Sequence, residues 1–173
     1  MKKLAYGLAN GTALLGGAVL VLIILMTVTS VIGRALVPLG LGPVPGDFEL
    51  TEMGIAFAVF CFLPLCQLVA GHATVDVFTA GLGAQANRIL LAIWEVALTA
   101  TVVFIAWRLY EGFLGKLGNN EITMLLQFPV WWGYAAALVP AGIGVIVGLW
   151  SAADRVRSAL TGQDTRTVEG ANH

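Results

Sequence analysis

Few side chains in this sequence have the chemistry to move a proton, hold a metal or attack a substrate, and most stand at the edges of long apolar runs. Glu95 is the sharpest of them, alone in the otherwise uncharged stretch from Ile89 to Trp107. A carboxyl group in such surroundings is costly, and it marks either an ion path or a buried pair. Glu95 therefore either bonds inward to His72 or Asn87, stays protonated, or carries protons. His72 and Asp76 lie in the stretch "GHATVD". An imidazole with an unperturbed pKa of about 6.5 suits proton handling, but it equally suits a local bond to the acid four positions on, which would fix a turn. Arg34, Glu49 and Glu52 form a third group. They read either as a staple between two helices or as a charged seam for a partner. Cys61 and Cys66 are five positions apart, hence on different sides of one helix, and no Cys-x-x-Cys or Cys/His set accompanies them. They read as small packing residues. With no Ser/His/Asp set, no phosphate-cradling glycine loop and no metal-ligand cluster, neither a catalytic site nor a cofactor or metal site is expected, and an enzyme is the weakest class.

The elements that must position these groups follow from composition. Hydrophobic residues make up 58% of the 173 positions and charged residues 11%, and mean hydropathy is +0.88. Those values lie outside the ordinary soluble range. Leu4 to Gly33, Met53 to Val75 and Ile122 to Ala153 contain no Asp, Glu, Lys or Arg. Each is longer than the roughly 20 residues that cross a bilayer core. Ile89 to Trp107, flanked by Arg88 and Arg108, supplies a fourth span. The expected fold is an all-α integral membrane protein with four transmembrane helices, at about 8–33, 50–71, 88–110 and 124–152, in one domain covering 1–153. The first run far exceeds the about 7–15 apolar residues of a signal peptide, so it is read as a retained span.

Four spans put Lys2, Lys3, Arg88, Arg155, Arg157 and Arg166 on one side and Arg34, Arg108 and Lys116 on the other. The excess of positive charge places both termini in the cytoplasm. A net charge of −1 leaves no footprint for nucleic acid. Between the first two spans, "VPLGLGPVPGDFEL" is too rich in proline and glycine for a helix and reads as an external loop. After the second span, Val75, Phe78 and Leu82 recur at helical spacing, which predicts a short amphipathic helix on the inner membrane surface, with His72 and Asp76 at the corner leading into it. Trp131 and Trp132 suit the aromatic belt of the last span, with Pro129 in its first turns and Pro140 kinking it deeper in. Gly7-x-x-x-Gly11 and Gly144-x-x-x-Gly148 are spacings that let helices approach closely, within this chain or against a partner. Residues 154–173 read as a polar cytoplasmic tail.

Arg34 closing the first span and Phe48, Glu49 and Glu52 opening the second precede Gly71-His72-x-x-Val75-Asp76 at the turn. Pro129-x-Trp131-x-x-Tyr134 and Pro140-x-Gly142 follow in the last span. In order and spacing, from about Gly33 to Trp150, these resemble the small membrane subunit of tripartite ATP-independent periplasmic (TRAP) transporters, the DctQ-like family. The resemblance implies a bacterial inner-membrane protein that works with a large membrane subunit and a periplasmic substrate-binding protein in sodium-driven uptake of an organic acid. It also implies a role as a non-catalytic brace for the large subunit's scaffold. Two other classes remain open on the residues alone. One is a self-sufficient small transporter, a homo-oligomer using Glu95; the other is a membrane redox protein or enzyme, for which Cys61 and Cys66 are the only candidates.

Overall fold

The computed structural model describes residues 2–69 and 84–161 of the chain. Four long helices account for most of them: α1 (Lys2–Ala35), α2 (Asp47–Leu68), α3 (Ala84–Asn119) and α4 (Trp131–Thr161). All four carry segments long and apolar enough to cross a membrane. The expected surface helix, with His72 and Asp76, falls outside the described residues.

Several helices run past the expected ends. α3 has 36 residues, about 54 Å at 1.5 Å per residue, where about 30 Å of hydrocarbon needs only some 20. It continues beyond position 110 through Glu111 and Lys116 to Asn119. α4, by contrast, begins later than expected. Pro129 stands before it, bridged to Ile122, and is not in its first turn. Pro140 lies inside the helix as expected.

The loop after α1 makes a short 3-10 turn, Val37–Leu39, and ends in a left-handed Gly40. Gly46, at φ 73°, then caps α2. A side chain at Gly46 would meet both an unfavourable backbone conformation and the Leu126 side chain. Asp47 and Glu49 follow in the first turn of α2, where the helix dipole favours carboxylates.

Packing is organised around α4, which lies against both α2 and α3, while α1 packs mainly on α2. The difference shows in burial: 39% of the most apolar stretch of α4 is enclosed by the chain itself, against 11% for α1. Ala9, Leu68 and Val147 tie α1, α2 and α4 together. Large side chains such as Leu14, Leu22, Ile93, Trp94 and Ile146 point outward. In water such a surface would aggregate; in lipid it is an ordinary exterior. Hydroxyls on that exterior are satisfied locally. Thr27, Thr29 and Thr101 each donate to the carbonyl four residues back at 2.8–2.9 Å, as groups facing hydrocarbon must.

Small residues make the close approaches. Gly144 sits between Pro64 of α2 and Val102 of α3. Gly148 faces the Gln67 amide, and Gly16 faces Cys61 and Ala58. Gly7 and Gly11 meet nothing within 4 Å, so of the two small-residue spacings only the second serves packing within the chain.

Candidate functional site

The antiparallel helices gather the described charged groups at two levels. At the end that carries the interhelical loops, Ser30 and Arg34 are four positions apart on α1 and so share a face. Both reach Asp47, the first residue of α2. Ser30 Oγ and Arg34 Nη2 each donate to Asp47 Oδ2 at 2.5 Å. The Val44 amide donates to Ser30 Oγ at 3.3 Å, and the Arg34 guanidinium lies 5.5 Å from the centre of the Phe48 ring.

The staple between the first two helices therefore exists, but its acid is Asp47 and not Glu49 or Glu52, the expected partners. Helix geometry gives the reason. Glu49 is two residues beyond Asp47, about 200° around the axis, so it points away from α1 toward the segment before α4. There its carboxylate accepts the backbone N–H groups of Leu125 at 2.7 Å and Leu126 at 3.0 Å. Those amides are free to bind it because residues 121–130 fold back on themselves. Thr123 N–H donates to Phe128 O at 2.8 Å, Val130 N–H to Glu121 O at 2.9 Å, and Phe128 N–H to Thr123 Oγ1 at 3.1 Å. Gln127 takes a left-handed φ of 54° at the tip.

Trp131 and Trp132 flank this loop. Trp131 meets Phe113 edge-on at 6.2 Å, and Trp132 stacks on Phe128 at 5.8 Å, so Trp131 ties the start of α4 to α3 and Trp132 holds the loop against α4. Lys116 pairs with Glu121, and Arg108 with Glu111 at 2.6 Å. The Lys116 ammonium holds the Glu121 carboxyl below its usual range, against an opposing effect of burial. Among the described residues at this end, Arg34, Arg108 and Lys116 each have an acid of the chain. Glu52 is exposed and pairs with no basic side chain among the described residues. It lines a cavity of about 410 Å³ between α2, α3 and α4, together with Met53, Ala56, Leu109, Tyr134 and Ala137.

The second level lies in the half of the bundle nearer the start of α1 and the end of α4. Glu95 is on α3 about two turns from Ile89 and is buried, 5% exposed, with Oε1 unpartnered. His72 and the Asn87 side chain, its expected partners, lie outside the described residues. Close by, Thr99 Oγ1 donates to Gly148 O at 3.2 Å. Gln67, 1% exposed, has no hydrogen bond at either amide atom. Gln67, Thr99 and Ser151 are among the buried polar residues that are neither charged nor cysteine and so carry no obvious mark of chemistry in the sequence. Their signal was present as amide and hydroxyl groups at interior helix positions. Among the described residues no three His, Cys, Asp or Glu side chains come together as a metal site, and Cys61 and Cys66 are free thiols.

Four membrane-length helices with apolar exteriors, and ionic contacts concentrated near their ends, define a multi-pass helical membrane protein. Residues 23–160 match the family model described as "Tripartite ATP-independent periplasmic transporters, DctQ component". The chain belongs to that family, the small component of TRAP transporters. It is a family of transporter components and not of enzymes, and it works with a large membrane subunit and a periplasmic binding protein in a tripartite system. No curated protein and no solved structure matches the chain.

Proposed function

We propose that this chain braces the scaffold of the large membrane subunit of a TRAP transporter during sodium-driven uptake of an organic acid delivered by a periplasmic binding protein. The membrane would be the bacterial inner membrane, with both termini in the cytoplasm by the distribution of Lys and Arg. The observation that carries the reading is the outward-facing apolar surface of α1 and α3, far larger than the enclosed core. A chain that invests so much apolar surface in its exterior, and encloses so little, is suited to add area to a larger assembly. Enlarging the fixed part of a transporter raises its resistance to being dragged through lipid when the mobile part crosses the bilayer.

The loop end supplies the polar contacts in this reading. Arg34, Asp47 and Ser30 lock α1 to α2, and Glu49 seats the 121–130 loop. The unpaired Glu52 offers a carboxylate beside an apolar cavity to a basic group on a partner. Trp132 holds the loop through Phe128, and Trp131 ties α4 to α3 through Phe113. The test is to remove this subunit while retaining the large subunit and the binding protein. Uptake should collapse, and undiminished uptake would end the proposal. Glu52→Lys in the intact system should weaken co-purification with a partner, whereas unchanged recovery would remove Glu52 from the contact.

A further inference from the structure

The terminal half of the bundle contains polar groups that protein alone leaves unsatisfied. Both amide atoms of Gln67, Oε1 of Glu95 and Nε of Arg155 are buried without a hydrogen-bond partner. They come from three different helices, α2, α3 and α4. The register between α3 and α4 brings them to neighbouring levels. Val102 meets Gly144, and Thr99 bonds to Gly148, so moving one further turn in the same antiparallel register sets Glu95 level with Ser151. Arg155 follows Ser151 by one turn on the same seam of α4. On the other side, Gln67 presses its amide against Gly148, where an added Cβ would stand 2.8 Å from both Nε2 and Oε1.

We infer that Gln67, Glu95 and Arg155 line one internal site occupied by a short chain of water molecules, the first shared by the amide on α2 and the carboxyl on α3 and the next reaching the guanidinium one turn further along α4. Buried polar groups in native structures are almost always paired, with protein or with ordered water. Dry orphans at membrane depth would each be costly. The character of the orphans selects the ligand. Two oxygen acceptors are accompanied by two nitrogen donors, Gln67 Nε2 and Arg155 Nε. A bare metal cation would satisfy the oxygens and be repelled by the guanidinium and the amide hydrogens. Water, which both donates and accepts, satisfies all of them. A site of this kind ties three helices together by bonds that no pair of them makes directly, and makes the terminal half of the subunit rigid.

The experiment compares melting of the purified full-length subunit in nanodiscs with that of Gln67→Met, Glu95→Met and the double variant. Removing a dry, unpartnered amide would raise the midpoint. Removing a water ligand should lower it, by about 2–4 °C, and the double variant should lose less than the sum of the two single losses because both groups hold the same water. A raised midpoint for Gln67→Met, or strictly additive losses, would overturn the inference. Should Gln67→Met not fold, the wild-type subunit in complex with its membrane partner decides by electron cryo-microscopy. Water-sized density within hydrogen-bonding reach of both Gln67 and Glu95 is expected. A vacant site in a map that resolves waters around the Glu49 loop, or a density coordinated by oxygens alone, would refute it.

Discussion

Gly16 and Gly17 are adjacent in sequence, yet the structure assigns them opposite responses to the same substitution. A Cβ on Gly16 would stand 2.7 Å from Cys61 Cβ, 3.3 Å from the Ala58 carbonyl oxygen and 3.5 Å from Phe62 Cζ. Carbon atoms prefer separations of about 3.5–4.0 Å, so the methyl group of Gly16→Ala arrives roughly 1 Å too close. Its neighbours cannot swing aside. Cys61 Cβ is fixed to the backbone of α2 and the Ala58 oxygen belongs to it, so the two helices themselves must separate. Overpacking of this kind costs about 1–3 kcal/mol, offset by up to about 1 kcal/mol gained when alanine replaces glycine in a helix. Gly17 meets nothing within 4 Å; Gly17→Ala keeps the helix gain without the clash. The two variants should therefore differ by about 1–3 kcal/mol, and each kcal/mol corresponds to about 2–4 °C in a domain of this size. Thermal melting of the purified subunit in nanodiscs, followed by tryptophan fluorescence, measures the difference. Introducing Cys61→Gly into the Gly16→Ala chain removes the opposing carbon and should recover part of the loss. If the two alanine variants melt within a degree of each other, the close approach of α1 and α2 at this point is wrong, and with it the argument that α1 is positioned by small-residue packing.

Other expected outcomes rest on the loop end. Arg34→Glu should impair assembly or uptake more than Lys116→Glu, because Asp47 at the junction of α1 and α2 would face a second carboxylate; equal tolerance would show the junction to be incidental. Adding Asp47→Arg to Arg34→Glu reverses the pair and should restore part of the assembly. Glu49→Ala should expose the Leu125 and Leu126 amides, read as faster hydrogen exchange at those two positions with little change along α1; unaltered protection would mean that the loop holds itself. The Glu121 carboxyl, held below its usual range by Lys116, contributes stability that is full above the ordinary glutamate range and is lost as pH falls through the depressed value. Lys116→Met should remove that acid-side loss from the melting profile. Glu95→Gln should leave purified chain in liposomes as silent as the wild type in solute and proton flux, whereas flux that the substitution abolishes would revive the self-sufficient transporter.

Charge spacing alone made the four spans legible, because crossing hydrocarbon demands a length of uncharged chain that few other structures need. The same signal does not give the ends of the helices. Arg108 looked like the end of α3, yet a helix does not stop where lipid stops. Its hydrogen bonds continue as long as no residue breaks them, and here they run to Asn119 before Asn120 turns with φ 50°. Partner assignment failed for a related reason. Reading Arg34, Glu49 and Glu52 as a staple uses only their nearness to the facing ends of two helices, whereas pairing also depends on angle around each helix. The 100° step per residue gave Asp47 to Arg34 and turned Glu49 toward Leu125 and Leu126.

The angular step also separates what the two polar levels can do. At the loop end the acids and bases are exposed or half-buried and close on local partners, so exchange of one contact for another costs little, and a docking protein could compete for them. In the terminal half, Gln67, Glu95 and Thr99 lie on buried seams between helices. Rearranging them requires helices to part, which exposes apolar surface and uncovers further polar groups together. Changes imposed at the loop end should therefore be absorbed by side chains and by the 121–130 loop, while the helices below keep their register. The proposed brace would require that division, adaptable at the loop end and stiff in the terminal half.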